Sequence, residues 1–246
     1  MRLVALHGFT GEGADFRALR EALPADWRLV APDFPGHGAR RSQRAAADYS
    51  LSAHLKAIDE AMGEGNDTAL LGYSLGGRLA LHWALAHPDR CRRLILVGAS
   101  PGLETPAQRE ERQLADGALA MFLRSEGLGP FYKYWHHQPL LRPLFSRPTD
   151  EVAALQARRA LNEPEALALS LENVGTGCLP SLWPRLGELR MPVDLVTGDL
   201  DPKFTHVARL MGSKLPKARL SLVEGCGHAV HLEKPSDLAS VLTSRA

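Results

Sequence analysis

The 246-residue sequence is poor in cysteine, with only Cys91, Cys178 and Cys226. They are far apart and odd in number, so they form neither a disulfide framework nor a zinc spacing, and a reducing cytoplasm is the simplest home. Charge of either sign is not in excess. Against 29 Lys and Arg stand 28 Asp and Glu, a net +1, which leaves no electrostatic argument for nucleic acid or an anionic membrane as partner. No apolar run approaches the length of a membrane span. Residues 1–6 are too short for a secretory apolar region and run straight into His7-Gly8, so they read as a strand. Internal repeats and low-complexity tracts are absent.

What is present is an ordinary globular composition, 45% hydrophobic and 23% charged, able to bury a full core. Short apolar runs end in turn residues at 2–6, 27–32, 68–73, 93–99, 193–197 and 219–223. They lack strict alternation, which predicts strands buried on both faces of a parallel sheet. Helical segments are expected at 14–23, 50–62, 75–87, 203–214 and 235–245. This alternation predicts an α/β chain with a mostly parallel, doubly wound sheet and functional loops at the carboxyl ends of strands. Between about 102 and 188 strand-like runs vanish. Helical text (107–124, 150–161, 165–173) is broken by Pro130, Pro139, Pro143, Pro148, Pro164 and Pro180. The expected organisation is a core of residues 1–101 and 189–246 with a helical cap, 102–188, inserted over the site. The sequence has no residues before the first strand for the antiparallel hairpin that leads many sheets of this kind.

The most informative string is Gly72-Tyr73-Ser74-Leu75-Gly76-Gly77-Arg78. A bare G-x-S-x-G is often an incidental glycine-rich turn, but here an apolar run precedes it and a Leu/Ala helix follows. Strand, sharp turn and helix make it a nucleophile elbow, with Ser74 exposed and the Leu75 N–H aimed at a developing oxyanion. A serine hydroxyl needs an imidazole and a carboxylate beside it. In the α/β-hydrolase fold these follow in the order Ser, Asp, His. Asp201 fits after the strand at 193–197, with Asp199 as competitor, and His228 fits after the last strand. The loop after the first strand, His7-Gly8-Phe9-Thr10-Gly11, should supply the second oxyanion donor through the Phe9 N–H. His7, Asp33 and His37 read as loop-shaping residues and Cys226 as a small core thiol. His136, His137, His206 and His231 match no metal spacing, so neither a metal nor a cofactor is expected.

Cations distinguish this chain from a generic esterase. Arg78 lies one helical turn after Ser74, on the same face. A guanidinium there costs desolvation unless a carboxylate, internal or from a ligand, pairs with it. Lys203 is a second candidate at the pocket mouth. Arg109 and Arg112 begin the cap, where most charges belong to a solvated face.

The strings around Ser74, with His7-Gly8-Phe9-Thr10-Gly11 and Pro35-Gly36-His37-Gly38, resemble the 2-succinyl-6-hydroxy-2,4-cyclohexadiene-1-carboxylate synthases of menaquinone biosynthesis. So do Pro101-Gly102-Leu103 followed by Gln108-Arg109-Glu110-Glu111-Arg112, Gly198-Asp199-Leu200-Asp201-Pro202-Lys203-Phe204, and Gly227-His228-Ala229-Val230-His231-Leu232-Glu233-Lys234-Pro235. Trp135-His136-His137-Gln138-Pro139 is similar to that family's Trp-Tyr-Gln-Gln-Pro motif, with His136 in place of tyrosine. The resemblance implies a lyase that eliminates pyruvate from a small tricarboxylate. Ser74, Asp201 and His228 would be the triad, with Phe9 and Leu75 as oxyanion donors. Tyr73, Arg78, Arg112, Trp135 and Lys203 would bind substrate. Three cations for three carboxylates fit the preference of arginine for carboxylates. The alternatives are a serine hydrolase acting on an ester, lactone or carbon–carbon bond of a carboxylated substrate, and a non-catalytic receptor for such a molecule. Oligomeric state is not legible.

Overall fold

A computed structural model describes residues 1–146 and 149–244. Six strands form one sheet: β1 (Arg2–Leu6), β2 (Arg28–Val30), β3 (Thr68–Tyr73), β4 (Arg93–Val97), β5 (Val193–Gly198) and β6 (Ala218–Val223), in the order β2-β1-β3-β4-β5-β6. Every pairing is parallel. β2 is shorter than the apolar run at 27–32, because the Pro32 that closes the run has no N–H for a ladder.

β1, β3, β4 and β5 are buried on both faces, which accounts for their unalternating runs, whereas the run at 219–223 forms the edge strand β6 and leaves Leu220 and Leu222 exposed. Leu3, Leu71, Ile95 and Val196 pack to one side, and Val4, Leu70, Leu96 and Leu195 to the other. Helices α1 (Arg17–Ala22), α2 (Leu51–Met62) and α3 (Leu75–Ala86) follow the first three strands. The segment 14–23, read as a single helix, begins instead as a 3-10 turn over Gly13–Phe16.

Between β4 and β5 the described residues hold five α-helices: α4 (Pro106–Glu126), α5 (Leu128–His136), α6 (Arg142–Phe145), α7 (Asp150–Arg159) and α8 (Pro164–Val174). Thr105 and Gln108 form a reciprocal capping box that starts α4, with Pro106 in its first turn. α5 and α6 were not expected. Pro130 and Pro143 fall in their first turns, where the missing N–H costs nothing. Pro148, another expected breaker, lies outside the described residues. Ala120, Leu123, Phe131, Leu167 and Leu171 form a small separate core, against which Phe9 and Trp135 pack. α9 (Pro202–Gly212), α10 (Val230–Glu233) and α11 (Pro235–Thr243) complete the chain, and position 245, the expected end of the last helix, lies outside the described residues. No helix among the described residues is long and apolar enough to cross a membrane.

The strand order reverses at β1, whose neighbours are β2 and β3. In open parallel sheets the crevice at such a reversal is where ligands bind. Phe9 follows β1 and Ser74 follows β3, so the topology brings both to that crevice.

Candidate active site

Ser74 sits between β3 and α3 with φ 51° and ψ −110°, in a region L-residues avoid. The turn holds because the residues two away on either side, Gly72 and Gly76, are glycine. A Cβ on Gly72 would lie 2.5 Å from the Gly76 oxygen, and one on Gly76 would run into the Leu6 carbonyl. The Ser74 N–H donates to the Val97 oxygen (3.0 Å) and its carbonyl accepts from the Arg78 N–H (3.1 Å). Leu75 is the first residue of α3, where N–H groups lack intrahelical partners and the helix dipole is positive.

Asp201 follows β5 at the N-cap of α9, and its Oδ1 accepts from the Phe204 N–H at 3.1 Å. Its Oδ2 lies 2.7 Å from His228 Nδ1. Asp199 instead accepts from the Cys226 N–H at 3.1 Å. Among the described residues none hydrogen-bonds His228 Nε2, which is buried. Ser74 and His228 line the same cavity. Serine–imidazole bonds are often open without substrate and tighten when it binds. The Tyr73 ring lies 5.2 Å from the His228 ring, and burial pushes its hydroxyl pKa up.

Phe9, Ser74, Trp135 and Leu140 also line a second, adjoining cavity. Leu75, Arg78, Arg112 and Lys203 belong to that lining too, so all ten expected site residues meet in this one region, Asp201 through His228. Arg112 Nε donates to Asp116 Oδ1 at 2.8 Å. Burial holds the Asp116 carboxyl above its ordinary range, although Arg112 and then Arg78 draw it down. Arg78 is half-buried and forms no ion pair among the described residues; its Nε is enclosed without a partner. Burial, with Arg112 nearby, lowers its pKa to about 10. Lys203 is exposed, its Nζ 5.7 Å from the Phe204 ring centre.

One cation was missed. Arg159, at the end of α7, lines the first cavity with Ser74 and His228 and is 7% exposed. Asp15 holds it from behind (Nη2–Oδ2 3.2 Å). Nothing local marks it, because it stands in a charged helical run and its partners lie more than 140 residues away. His7 and His37 brace loops: His7 Nε2 accepts from the Phe34 N–H (3.0 Å), and His37 Nε2 from the Thr10 N–H (3.2 Å). Asp33 accepts from the Gly13 and Ala39 N–H groups. His136 stacks between Tyr132 and Phe145.

A family model described as the alpha/beta hydrolase fold matches residues 2–235. A Bacillus subtilis protein carrying the provisional name of 2-succinyl-6-hydroxy-2,4-cyclohexadiene-1-carboxylate synthase is 37% identical over 95% of this chain and 85% of its own length. The enzyme of that name from Pectobacterium atrosepticum is 35% identical over 96% of this chain and 90% of its own. Among solved structures, MenH from S. aureus superposes with a TM-score of 0.89 at 29% identity, covering 99% of this chain and 92% of that one. An esterase from Thermogutta terrifontis, with TM-score 0.84 at 21% identity over 100% and 89%, shares the fold. The chain therefore belongs to the α/β-hydrolase-fold enzymes and, among them, to the 2-succinyl-6-hydroxy-2,4-cyclohexadiene-1-carboxylate synthase family.

Proposed function

We propose that this enzyme eliminates pyruvate from 2-succinyl-5-enolpyruvyl-6-hydroxy-3-cyclohexene-1-carboxylate in menaquinone biosynthesis, in the cytoplasm, with Ser74, His228 and Asp201 as a basic triad and residues 102–188 as a cap. His228 Nε2 takes the Ser74 proton, and Ser74 Oγ removes the acidic proton beside the succinyl ketone. The N–H groups of Phe9 and Leu75 hold the enolate oxygen. The electron pair re-forms the ketone, shifts through the ring and expels enolpyruvate, which takes up a proton and becomes pyruvate. No acyl-enzyme forms. Each oxyanion donor contributes roughly 10²–10³ in rate. Asp201 fixes the imidazole tautomer and steadies the imidazolium.

The observation that carries the substrate class is the cationic lining. Arg78, Arg112, Lys203 and Arg159 face two joined cavities that have Ser74 in common, and Arg78 forms no ion pair among the described residues, Asp116 acting on it through charge while bonded to Arg112. Cations gathered around a nucleophile, with no carboxylate among the described residues of the same lining, call for an anionic ligand. Tyr73 and Trp135 supply flat apolar walls for the ring. A pocket for neutral acyl esters gains nothing from this charge. Pyruvate release from the cyclohexene tricarboxylate, compared between the wild type and Arg78→Ala, tests the reading; an unchanged kcat/KM in the variant removes its carboxylate argument.

A further inference from the structure

Besides Ser74, Thr10 is the one non-glycine residue among those described with positive φ, at 67°. A β-branched side chain is crowded there and stays only where its surroundings hold it. Thr10 is the third residue of a turn closed by the Gly11 N–H on the Gly8 oxygen at 3.0 Å, a position that ordinarily calls for Gly or Asn. Gly8 C=O and Phe9 N–H belong to one planar peptide and point in opposite directions. Gly11 and His7 Nδ1 (2.8 Å) anchor the carbonyl end of that plane, so the turn decides where the Phe9 N–H points.

Three groups hold Thr10 in its strained state. His37 Nε2 accepts from its N–H, Asn162 Nδ2 donates to its carbonyl at 3.1 Å, and Arg159 Nη1 donates to its Oγ1 at 3.0 Å. Two of the three come from the helical insertion, and all four residues are buried. Asp15 completes the chain by binding Arg159 and also Arg158 Nη2 (3.0 Å). Burial pushes its carboxyl up, but Arg159, His231 and hydrogen bonds from Arg158 and the Glu12 backbone outweigh burial, and the net direction is down.

We infer that Thr10 is a positioning residue: the Asp15–Arg159–Thr10 relay, with Asn162, lets the helical insertion set the aim of the Phe9 N–H. The inference rests on Phe9 serving as an oxyanion donor, as proposed above. It gives the Thr10 hydroxyl a purpose that the turn alone does not, since glycine would make the turn without strain.

The test uses Thr10→Val, which keeps the shape and loses the acceptor, with Thr10→Ser, Asp15→Asn and Asp15→Glu alongside. Two readouts are taken: steady-state pyruvate release, and the rate at which a p-nitrophenyl alkylphosphonate phosphonylates Ser74, an adduct that also places oxygen on the oxyanion donors. Thr10→Val and Asp15→Asn should each lower kcat and the phosphonylation rate about 10–100-fold, with KM changed much less. Thr10→Ser should stay near wild type, and Asp15→Glu should recover part of the loss. Wild-type kcat and phosphonylation in folded Thr10→Val, or in Asp15→Asn should the valine variant not fold, overturn the relay. So does a loss confined to KM, which would leave Arg159 a substrate contact only. A wild-type enzyme that the phosphonate does not label removes the Ser74 reading and takes the relay with it.

Discussion

Asp201 Oδ2 meets His228 Nδ1 at 2.7 Å, with both side chains almost wholly enclosed and the other Asp201 oxygen fixed by the Phe204 N–H. A carboxylate held at both oxygens cannot rotate away, so the imidazole presents Nε2 to the cavity in one tautomer. Asp201→Asn keeps the size and the Phe204 bond but offers the wrong partner to Nδ1. It should lower kcat by about 10³–10⁴ with little change in KM, measured on pyruvate release from enzyme of unaltered circular dichroism.

Gly98 and His228 are the second tight relationship. Gly98 has φ 53°, and a Cβ there would stand 2.7 Å from His228 Nδ1 and Cε1. Gly98→Ala therefore displaces the ring from Asp201 and adds backbone strain. Activity should fall at least about a hundredfold, and thermal unfolding should shift down by several degrees, on the order of 1–2 kcal/mol. Wild-type kcat in this variant would mean that the ring position matters little.

Arg78 should trade stability against function. Replacing it with methionine removes a half-buried charge that forms no ion pair among the described residues and that Asp116, bonded to Arg112, offsets only in part. Arg78→Met should unfold at higher denaturant, by about 1 kcal/mol. It should also lose on the order of a hundredfold in kcat/KM. Urea melts and initial rates check both directions, and a destabilised variant would show that Arg78 serves the fold.

Acid should loosen the protein through its buried histidines. Burial lowers the His231 pKa to about 3 and the His54 pKa to about 4. Between pH 6.5 and these values the unfolded chain takes up protons that the folded chain refuses. Stability is therefore full above pH 6.5 and falls as pH drops, by up to about 1.4 kcal/mol per unit for each such group. His231 packs between Phe16 and Tyr73, with Nδ1 unpartnered. His231→Phe should lessen the slope between pH 6.5 and 4 in urea unfolding, and parallel curves for both proteins would contradict this.

These groups differ in how far the sequence disclosed them. Ser74, Asp201 and His228 each stand just past an apolar run, so strand position and residue type coincide in one short stretch. The inner strands were legible for the same reason, since burial on both faces writes itself as unbroken Val/Leu/Ile, while at the sheet edge β6 carries a similar run with Leu220 and Leu222 exposed. Arg159 was not legible, because its partners Thr10 and Asp15 are joined to it only by the folded insertion. α5 and α6 were hidden by prolines that read as breakers yet fall in first turns, where proline is at home. Thr10 carried no local signal, since a turn with positive φ predicts glycine or asparagine there.

The most direct test of the whole account is to supply the enolpyruvyl cyclohexene tricarboxylate, made in situ by an enzyme able to build it, and to follow pyruvate and the conjugated-diene absorbance together. p-Nitrophenyl acetate is run in parallel. Elimination should be fast in the wild type, reduced at least about a thousandfold in Ser74→Ala, and accompanied by weak ester cleavage. Ser74-dependent ester cleavage without pyruvate release would contradict the lyase and make the cationic pocket that of a hydrolase for another acid.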